Sequence, residues 1–409
     1  MEKLKVLFLM GPADCNDPNI PAYSDKFLAD LSAECGFEVV NAPLEEVAAQ
    51  QLPVFFIASG GAENGFKAAH TAVKAPYILL TTPSYNSLAA AMEIMGFLDE
   101  NGLPGEILHG SIKRIAGRLK TLFRAAQAVE KLKGMRLGCV GKPGGLIASD
   151  ADPDKLKAAC GMEIVDIDLQ ELVAEYHKGG YTENKYTQEL KAKKFSAEEI
   201  EKALNVYGGC QRLIEKYKLD AITVRCFELI NYVPTTGCLA LAILNTEGIP
   251  AACEGDAKTL VAMSVLNAIT GGSSFMANPS CMDPDTAEII FAHCTLPIDM
   301  PDDYFLTTHF ETNMGVAVAC DIAPQRMTLF KCNDDLSRWY ADGADLMETL
   351  HRPDLCRSQM RLHLDHGTAY FENGPISNHH LICKGDWSRE IAEFFKMVQI
   401  KSDPRRSTL

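Results

Sequence analysis

The sequence predicts an α/β protein with two doubly wound parallel-sheet domains, followed by a mainly antiparallel, β-barrel-like C-terminal domain. Three observations predict this fold class. Short apolar runs alternate with helix-length segments over the first 110 residues, and the alternation starts again near residue 135. Beyond about residue 285, β-forming runs follow one another with few helices between them. Strands separated by helices pair in parallel through crossovers, whereas strands joined directly pair in antiparallel.

In the first predicted domain, residues 1–133, five apolar runs are expected to form a parallel sheet: KVLFLM, FEVVNAP, PVFFIASGG, PYILLTT and GEILHG. Residues 113–133 carry apolar side chains at helical spacing without proline, and Gly134 follows them. Glycine commonly ends a helix, because it adopts the left-handed conformation without a steric penalty. We expect this long helix to lead out of the domain.

The second predicted domain, residues 134–283, repeats the pattern with the strands MRLGCV, MEIVDIDL, AITVRCFELI and IPAACEGD. Helices are expected at 196–217 and 258–269. In the third domain, 284–409, the predicted strands are AEIIFAHCTL, YFLTTHFETNMGVAVACDI, RMTLFKC, QMRLHLDH and HHLICKGD. A C-terminal helix is expected at 388–397. A barrel or sandwich best accommodates such closely spaced strands.

Charge and composition restrict the classes of partner. The chain has 39 Lys and Arg against 54 Asp and Glu, a formal charge of −15, which opposes binding to nucleic acid or anionic membranes. The first apolar run is too short for a signal peptide, and the longest uncharged stretch contains too many polar groups for a membrane span. The 14 cysteines include no CxxC pair. We therefore expect a cytoplasmic protein with reduced thiols that acts on a small molecule.

Polar residues directly after apolar runs are the first candidates for a site, because ligands bind beyond the carboxyl ends of strands in open α/β sheets. Glu254 and Asp256 of CEGD follow a predicted strand and precede a predicted helix. One interpretation is an acidic helix cap, which satisfies free amides at the helix start. The other is a catalytic or metal-binding carboxylate.

Three further segments bring side chains that bind metals. Asn278 lies one helix and one return strand beyond Glu254, and His293 ends the next apolar run. His379 and His380 precede the last predicted strand. A carboxylate together with two separated histidines suits a divalent transition metal. Each histidine taken singly is equally compatible with a structural role.

These motifs together resemble a known family. CEGD, FMANP, AHCTLP, THFETNMGVAVACD and SNHH are similar to motifs of the L-fucose isomerase and L-arabinose isomerase superfamily, especially its shorter, fucose isomerase-like members. The resemblance extends from about residue 224 to residue 383. It implies the same domain plan, a metal-dependent aldose-ketose isomerase, Mn²⁺ or another divalent cation, and assembly into trimers or hexamers.

The resemblance also implies roles for single residues. Glu254 matches the first metal-binding and catalytic glutamate, His379 (or, second, His380) matches the C-terminal histidine ligand, and His293 resembles an additional histidine of the arabinose branch. Asn278 departs from the pattern, because fucose isomerases have an aspartate there and the arabinose branch has a neighbouring glutamate. An amide oxygen can coordinate a cation but cannot act as a base.

The implied reaction moves a proton between C1 and C2 of an open-chain pentose, or of a deoxy or substituted hexose, through a cis-enediol. Besides Glu254, the candidates for a second catalytic carboxylate are Asp256, Glu228 and Glu311. The Asn278 departure leaves two other readings open. One is a sugar lyase or epimerase that uses the same enediolate, and the other is a non-catalytic sugar-binding protein.

Weaker candidates complete the set. Ser59 and Tyr85 follow strands of the first domain and are expected to contact the substrate, as are Glu311 and His380; ordinary βα turns are the alternative for the first two. The GKPGG run at 141–145 lacks the order of a phosphate loop, so we expect a tight turn. The thiols of Cys253, Cys281 and Cys294 are expected in the core, since Cys294 and the adjacent His293 point to opposite faces of a strand.

Overall fold

The computed structural model describes residues 3–14 and 17–402. It forms two compact units. The first runs to Glu130 and includes the chain from Ala392, and the second is Lys131–Ile391. The second unit contains both a parallel sheet and a barrel. The division into three domains at 1–133, 134–283 and 284–409 stays a prediction.

The first unit contains a five-stranded parallel sheet. Its strands are β1 (Lys3–Leu9), β2 (Glu38–Asn41), β3 (Val54–Ile57), β4 (Tyr77–Thr81) and β5 (Gly105–Leu108), in the order β2-β1-β3-β4-β5. Its helices are α1 (Asn19–Cys35), α2 (Leu44–Ala48), α3 (Glu63–Ala69), α4 (Ser87–Glu100) and α5 (Ile112–Leu132). Every residue of β3 and β4 is buried, as expected of apolar strands covered on both faces.

The second unit begins with a four-stranded parallel sheet. Its strands are β6 (Arg136–Val140), β7 (Glu163–Ile167), β8 (Ala221–Val224) and β9 (Ala251–Cys253), in the order β7-β6-β8-β9. The helices are α6 (Pro153–Cys160), α7 (Leu169–Lys178), α8 (Lys185–Ala192), α9 (Ala197–Tyr217), α10 (Cys226–Leu229), α11 (Cys238–Thr246) and α12 (Ala257–Thr270). The carboxyl ends of the central strands β8 and β9 lead directly into Arg225 and Glu254.

A closed antiparallel barrel follows. Its strands are β10 (Phe275–Asp283), β11 (Glu288–His293), β14 (Arg326–Cys332), β15 (Trp339–Leu350), β16 (Ser358–Leu364) and β17 (His380–Lys384), in the order β10-β11-β16-β15-β14-β17. Strands β12 (Asp303–Thr307) and β13 (Ala317–Asp321) form a separate antiparallel pair. The last helices are α13 (Ala369–Asn373) and α14 (Ser388–Ser402).

The predicted fold class is confirmed, with two differences in detail. The run AITVRCFELI is not one strand, because β8 ends at Val224 and Glu228 lies in the short helix α10. The run from Tyr304 to Ile322 is divided between β12 and β13. Within the described ranges, no helix combines the length and apolar character that a membrane crossing requires.

Candidate functional site

Three of the predicted metal ligands converge in the second unit. Glu254, His293 and His379 each offer a ligand atom, and all three atoms lie within 4.8 Å of one another. Strand register explains the convergence, since β10 pairs with β11 through Asn278 and Ala292 and with β17 through Ala277 and His380. The end of β11 and the start of β17 therefore meet beside the same stretch of β10. His293 and His379 occupy these two positions.

The backbone around Glu254 is shaped by the turn from β9 into α12. Glu254 has a φ of 63°, in the left-handed region that few residues with a side chain adopt. Gly255 donates its backbone N–H to the carbonyl of Val224, and Asp256 caps α12 by accepting the N–H of Thr259 at 2.7 Å. This turn holds Glu254 at the point where the sheet and the barrel meet.

Asp256 fixes the orientation of His379. Its Oδ2 lies 2.8 Å from Nδ1 of His379, and both side chains are buried. An ionised carboxylate only accepts, so Nδ1 carries the proton and Nε2 presents a lone pair. That Nε2 is buried and has no hydrogen-bond partner in the part of the chain that the structure describes. A buried nitrogen lone pair without a partner is costly and indicates a missing ligand.

His293 is held in a similar way. Its Nδ1 lies 3.0 Å from Oγ1 of Thr295, and its Nε2 is directed toward Glu254. The Nε2 atoms of His293 and His379 each lie 3.6 Å from the same oxygen, Oε1 of Glu254. These separations are too long for hydrogen bonds. They are comparable with the spacing of atoms that share one cation at roughly 2.0–2.2 Å each.

A buried chain of polar groups extends from His379 to a lysine. Nζ of Lys331 donates to Oγ1 of Thr259 at 2.6 Å, and that hydroxyl donates to Oδ2 of Asp256 at 2.7 Å. Lys331 is fully buried, which lowers the pKa of its ammonium group. The charged Lys331 in turn compensates the buried carboxylate of Asp256. Asp256 is thus a positioned acceptor in a satisfied network.

Burial and neighbouring charges act against each other at these carboxylates. Burial raises the pKa of Glu254, but the imidazoles of His293 and His379 outweigh it and hold the pKa below its usual range. At Asp256 burial also raises the pKa, and Lys331 and His379 bring it down to about 2. Burial lowers the pKa of His379, while Asp256 and Glu254 raise it by more. The carboxylates are therefore ionised at neutral pH, as cation binding requires.

A carboxylate oxygen and two imidazole nitrogens fit a divalent transition metal. Both histidines have Nδ1 engaged by an outer partner, Thr295 or Asp256, so that Nε2 faces inward. Ligating histidines in metalloproteins are typically held this way. The unpartnered Nε2 of His379 is the observation that most directly favours a cation here.

Glu254 lies between two hollows. An open cavity of about 650 Å³ is lined by Glu254 together with Arg225, Phe227, Glu228 and Tyr232. Such a volume accommodates a sugar. A smaller pocket shares Glu254 and Phe227 with it and is also lined by His293, His309, Glu311 and five cysteines: Cys226, Cys238, Cys253, Cys294 and Cys356.

Two further predicted residues lie beside the cluster. Asn278 lies on β10, next to the strands that carry both histidines, and its Oδ1 accepts a hydrogen bond from Nδ2 of Asn378 at 2.7 Å. His380 is fully buried, with Nδ1 on the carbonyl of Asn378 and Nε2 on the hydroxyl of Tyr370. Burial lowers the pKa of His380 to about 3. Of the two neighbouring histidines, His379 is the one in the cluster.

The other predicted carboxylates occupy different places. Glu228 lines the open cavity and pairs with Arg225 at 2.6 Å. Glu311 lines the smaller pocket, and its Oε2 lies 2.9 Å from Nε2 of His309. The roles predicted for both residues stay predictions.

Ser59 and Tyr85 belong to the first unit. Oγ of Ser59 accepts the N–H of Gly11 and donates to the carbonyl of Gly60, whereas Tyr85 is partly exposed. The site described above is built by the second unit alone. Substrate binding by Ser59 and Tyr85 therefore stays a prediction.

Most of the thiols are in the core, as expected. Cys253 and Cys294 are buried, but Cys281 is exposed, because it lies on the outer part of β10. A hydrogen bond from Cys356 lowers the pKa of the Cys294 thiol to about 6. GKPGG is a turn after β6, and its glycines lie against Arg225.

Sequence reasoning missed four residues of the site: Lys331, Thr295, His309 and Arg225. Lys331 lies in a strand otherwise formed by apolar and small residues, RMTLFKC, where a lysine is expected at the surface. Arg225 directly follows β8 and could have been found by the rule that pointed to Glu254. His309 precedes Glu311 by two residues, a spacing that strands and loops share and that indicates no pair by itself.

Comparison with known proteins gives a consistent class. No protein-family model matches the chain. It is 23% identical over 219 residues to a sulfoquinovose isomerase of Alkalicoccus urumqiensis, covering 51% of this chain and 49% of that protein. It is 24% identical over 221 residues to those of Priestia megaterium (strain ATCC 12872 / QMB1551) and Clostridium sp. (strain MSTE9), covering 51% of this chain and 49% and 48% of theirs.

The chain thus spans about half the length of the curated relatives it matches. Sulfoquinovose isomerase belongs to the fucose isomerase-like superfamily. The resemblance to this superfamily that the motifs predict is therefore confirmed.

Proposed function

We propose that this protein is a metal-dependent aldose-ketose isomerase that acts on an open-chain sugar through a cis-enediol. One observation carries the proposal. Glu254, His293 and His379 converge with an unpartnered, buried Nε2 on His379, and Glu254 also lines a cavity of about 650 Å³. Relatives that are named isomerases of a sugar support the reaction class.

The cation would be held by Oε1 of Glu254 and by Nε2 of both histidines. A divalent cation bound there supplies Lewis-acid polarisation of the sugar carbonyl and stabilises the charge that develops on the enediolate. We propose Mn²⁺ first, from the resemblance, and another divalent metal second. Asn278 stays a predicted fourth ligand, and its amide oxygen already accepts the amide of Asn378.

Two groups of the chain can exchange protons with a sugar near Glu254. Oε1 of Glu254 faces both histidines, which leaves Oε2 as the proton acceptor at C2. Glu311 is the second proton carrier that we propose, because it lines the same pocket as Glu254 and His293. His309, 2.9 Å away, supplies or receives the proton of Glu311.

Asp256 and Glu228 were the other catalytic candidates. Asp256 lines neither hollow, since its two oxygens are engaged by Thr259 and His379. We therefore propose that Asp256 positions His379 and does not touch the substrate. Glu228 lines the open cavity but is paired with Arg225. Its catalytic role is a prediction that the Glu228→Gln variant tests.

The substrate that we propose is a pentose or a deoxy or substituted hexose. The name of the relatives' substrate, a sulfo sugar, supports a hexose with a substituent. Assembly into a trimer or hexamer and a cytoplasmic location also stay predictions. Light scattering after size-exclusion chromatography tests the first of these.

The test is an NMR assay of metal-loaded protein with unsubstituted and sulfonated aldoses in D₂O. A cis-enediol mechanism yields the ketose and places solvent deuterium on the carbon that accepts the proton. Glu254→Gln is expected to reduce the rate by at least ~10³-fold, because it removes a ligand and a base together. Glu348→Gln is the control, since it removes an exposed carboxylate paired with Arg361.

The other outcomes separate the rival functions. Carbon-carbon cleavage products indicate a lyase, and an epimer without a ketose indicates an epimerase. A sugar that raises the melting temperature without turnover, to the same extent in Glu254→Gln, indicates a non-catalytic binding protein. Each of these results overturns the isomerase proposal.

A further inference from the structure

One cation lies in the wall of the open cavity. Among the described residues that line this cavity, Arg225 is the only one with a basic side chain. It directly follows β8, and 37% of its side chain is exposed. Glu254, on the same wall, follows the neighbouring strand β9. A ligand in this cavity can therefore touch the proposed metal-binding carboxylate and the guanidinium together.

The glycines of the GKPGG turn shape the position of Arg225. A Cβ added at Gly141 would lie 2.9 Å from Cβ of Arg225, and one added at Gly144 would lie 3.0 Å from Nη2 and 3.2 Å from Nε. Side chains at these two positions would collide with Arg225. The turn thus leaves a slot along which the arginine extends to the cavity. This requirement accounts for a motif that matches no phosphate loop.

The guanidinium is only partly engaged. Nη1 lies 2.6 Å from Oε2 of Glu228, while Nε and Nη2 have no acceptor within the part of the chain described by the structure. An arginine presents paired N–H groups that fit two oxygens of a carboxylate, phosphate or sulfonate. The Nε and Nη2 edge is free to form such a pair. The formal charge of −15 makes a local cation more important for an anionic ligand.

We propose that Arg225, positioned by Gly144, binds an anionic substituent at the end of the sugar remote from the carbonyl. The ligand class is an aldose with a terminal oxyanion: a sulfonate, a phosphate or a carboxylate. This inference deepens the proposed function and rests on it, because it places the carbonyl end at Glu254. Arg225 is then a specificity-determining residue.

The test compares glucose with its C6-sulfonated, C6-phosphorylated and C6-carboxylate counterparts. Arg225→Gln is expected to raise KM for the preferred anionic sugar by roughly 10- to 100-fold, since a charge-assisted pair is lost. The change for glucose is expected to be at least fivefold smaller. The control is Arg352→Gln, because Arg352 forms a comparable short-range ion pair with Asp354 at 2.6 Å and lines neither hollow.

A second pair of variants tests the slot without changing any charge. Gly144→Ala is expected to displace the guanidinium and to raise KM for the anionic sugar in the same direction. Gly145→Ala is the matched control, because a Cβ there meets no atom within 4 Å. Preference for anionic over neutral sugar should fall in the first variant and hold in the second.

Isothermal titration calorimetry with the same sugars separates this inference from the proposed reaction. If no sugar is isomerised but Arg225→Gln weakens binding of the anionic sugar at least tenfold, the subsite stands and the isomerase proposal fails. If ketose forms and Arg225→Gln affects glucose and the anionic sugars equally, the subsite is overturned and the reaction stands. The subsite is also overturned if wild-type protein binds none of the anionic sugars.

Discussion

Asparagine at position 256 should disable the metal centre while leaving the ligands in place. Asp256 accepts the N–H of Thr259, the hydroxyl of Thr259 and Nδ1 of His379, all between 2.7 and 2.8 Å. An asparagine has one acceptor oxygen, so its amide group must face one of these donors. Where it faces His379, the imidazole turns to the tautomer that carries its proton on Nε2. That proton occupies the lone pair needed by a cation.

The magnitudes follow from the same contacts. Loss of an outer partner of a ligating histidine typically costs 10- to 100-fold in metal affinity, about 1.4 to 2.7 kcal/mol. The Asp256→Asn substitution also leaves the fully buried Lys331 without its compensating charge. Breaking one side of a buried pair costs about 3–5 kcal/mol of stability. We expect weaker metal binding together with an unfolding free energy that is lower by several kcal/mol.

Calorimetric titration with Mn²⁺ measures the first effect and urea denaturation of the metal-free protein measures the second. Lys331→Met in the Asp256→Asn background is the matched control for stability. It removes the unpaired charge, so the double variant should be less destabilised than the sum of the single variants. Wild-type metal affinity in Asp256→Asn, or strict additivity in the double variant, would refute the reasoning.

Three further predictions concern the same site. Chelation of the metal should lower the melting temperature of the wild type, because a ligand at 100 times its Kd stabilises by about 2.7 kcal/mol, and should not affect Glu254→Gln. Thr295→Val should weaken metal binding by a few-fold, as titrated with Mn²⁺, because Nδ1 of His293 loses its partner. Glu311→Gln should destabilise by about 1 kcal/mol or less between pH 5 and 6, where both partners are charged, since Glu311 is partly exposed. His309 lowers the pKa of Glu311, while burial lowers the pKa of His309 and Glu311 raises it by more. The loss should therefore shrink as pH rises through the raised pKa of His309 or falls through the lowered pKa of Glu311; urea unfolding across this range measures it, and an effect independent of pH would contradict it.

The sequence was informative where local rules apply. Glu254, His293 and His379 each lie at a strand end, and the register of β10 against its two neighbours brings them together. Position relative to a strand can be predicted from apolar runs, because those runs define strand ends. The cluster was therefore within reach of sequence reasoning before any coordinates.

Features that depend on long-range packing were out of reach. Lys331 lies in a barrel strand yet is fully buried, because Thr259 and Asp256 approach it from α12 and its N-cap. Its pairing partner β15, with the sequence WYADGADLMETL, was not predicted, since Ala, Asp, Glu and Gly are uncommon in strands. Glu228 was assigned to a strand end because β-forming residues continue past Val224 into α10. In each case tertiary contacts override the local preference.

The conformation of Glu254 ties the fold to the proposed chemistry. A left-handed φ at a residue with a side chain costs about 1 kcal/mol or more and persists only where the surroundings enforce it. Here the hydrogen bond from Gly255 to Val224 and the capping of α12 by Asp256 enforce it from the C-terminal side. The same Asp256 carboxylate also orients His379. One short turn therefore sets the direction of the carboxylate ligand and the tautomer of a histidine ligand, so the two donors are prepared together for a cation.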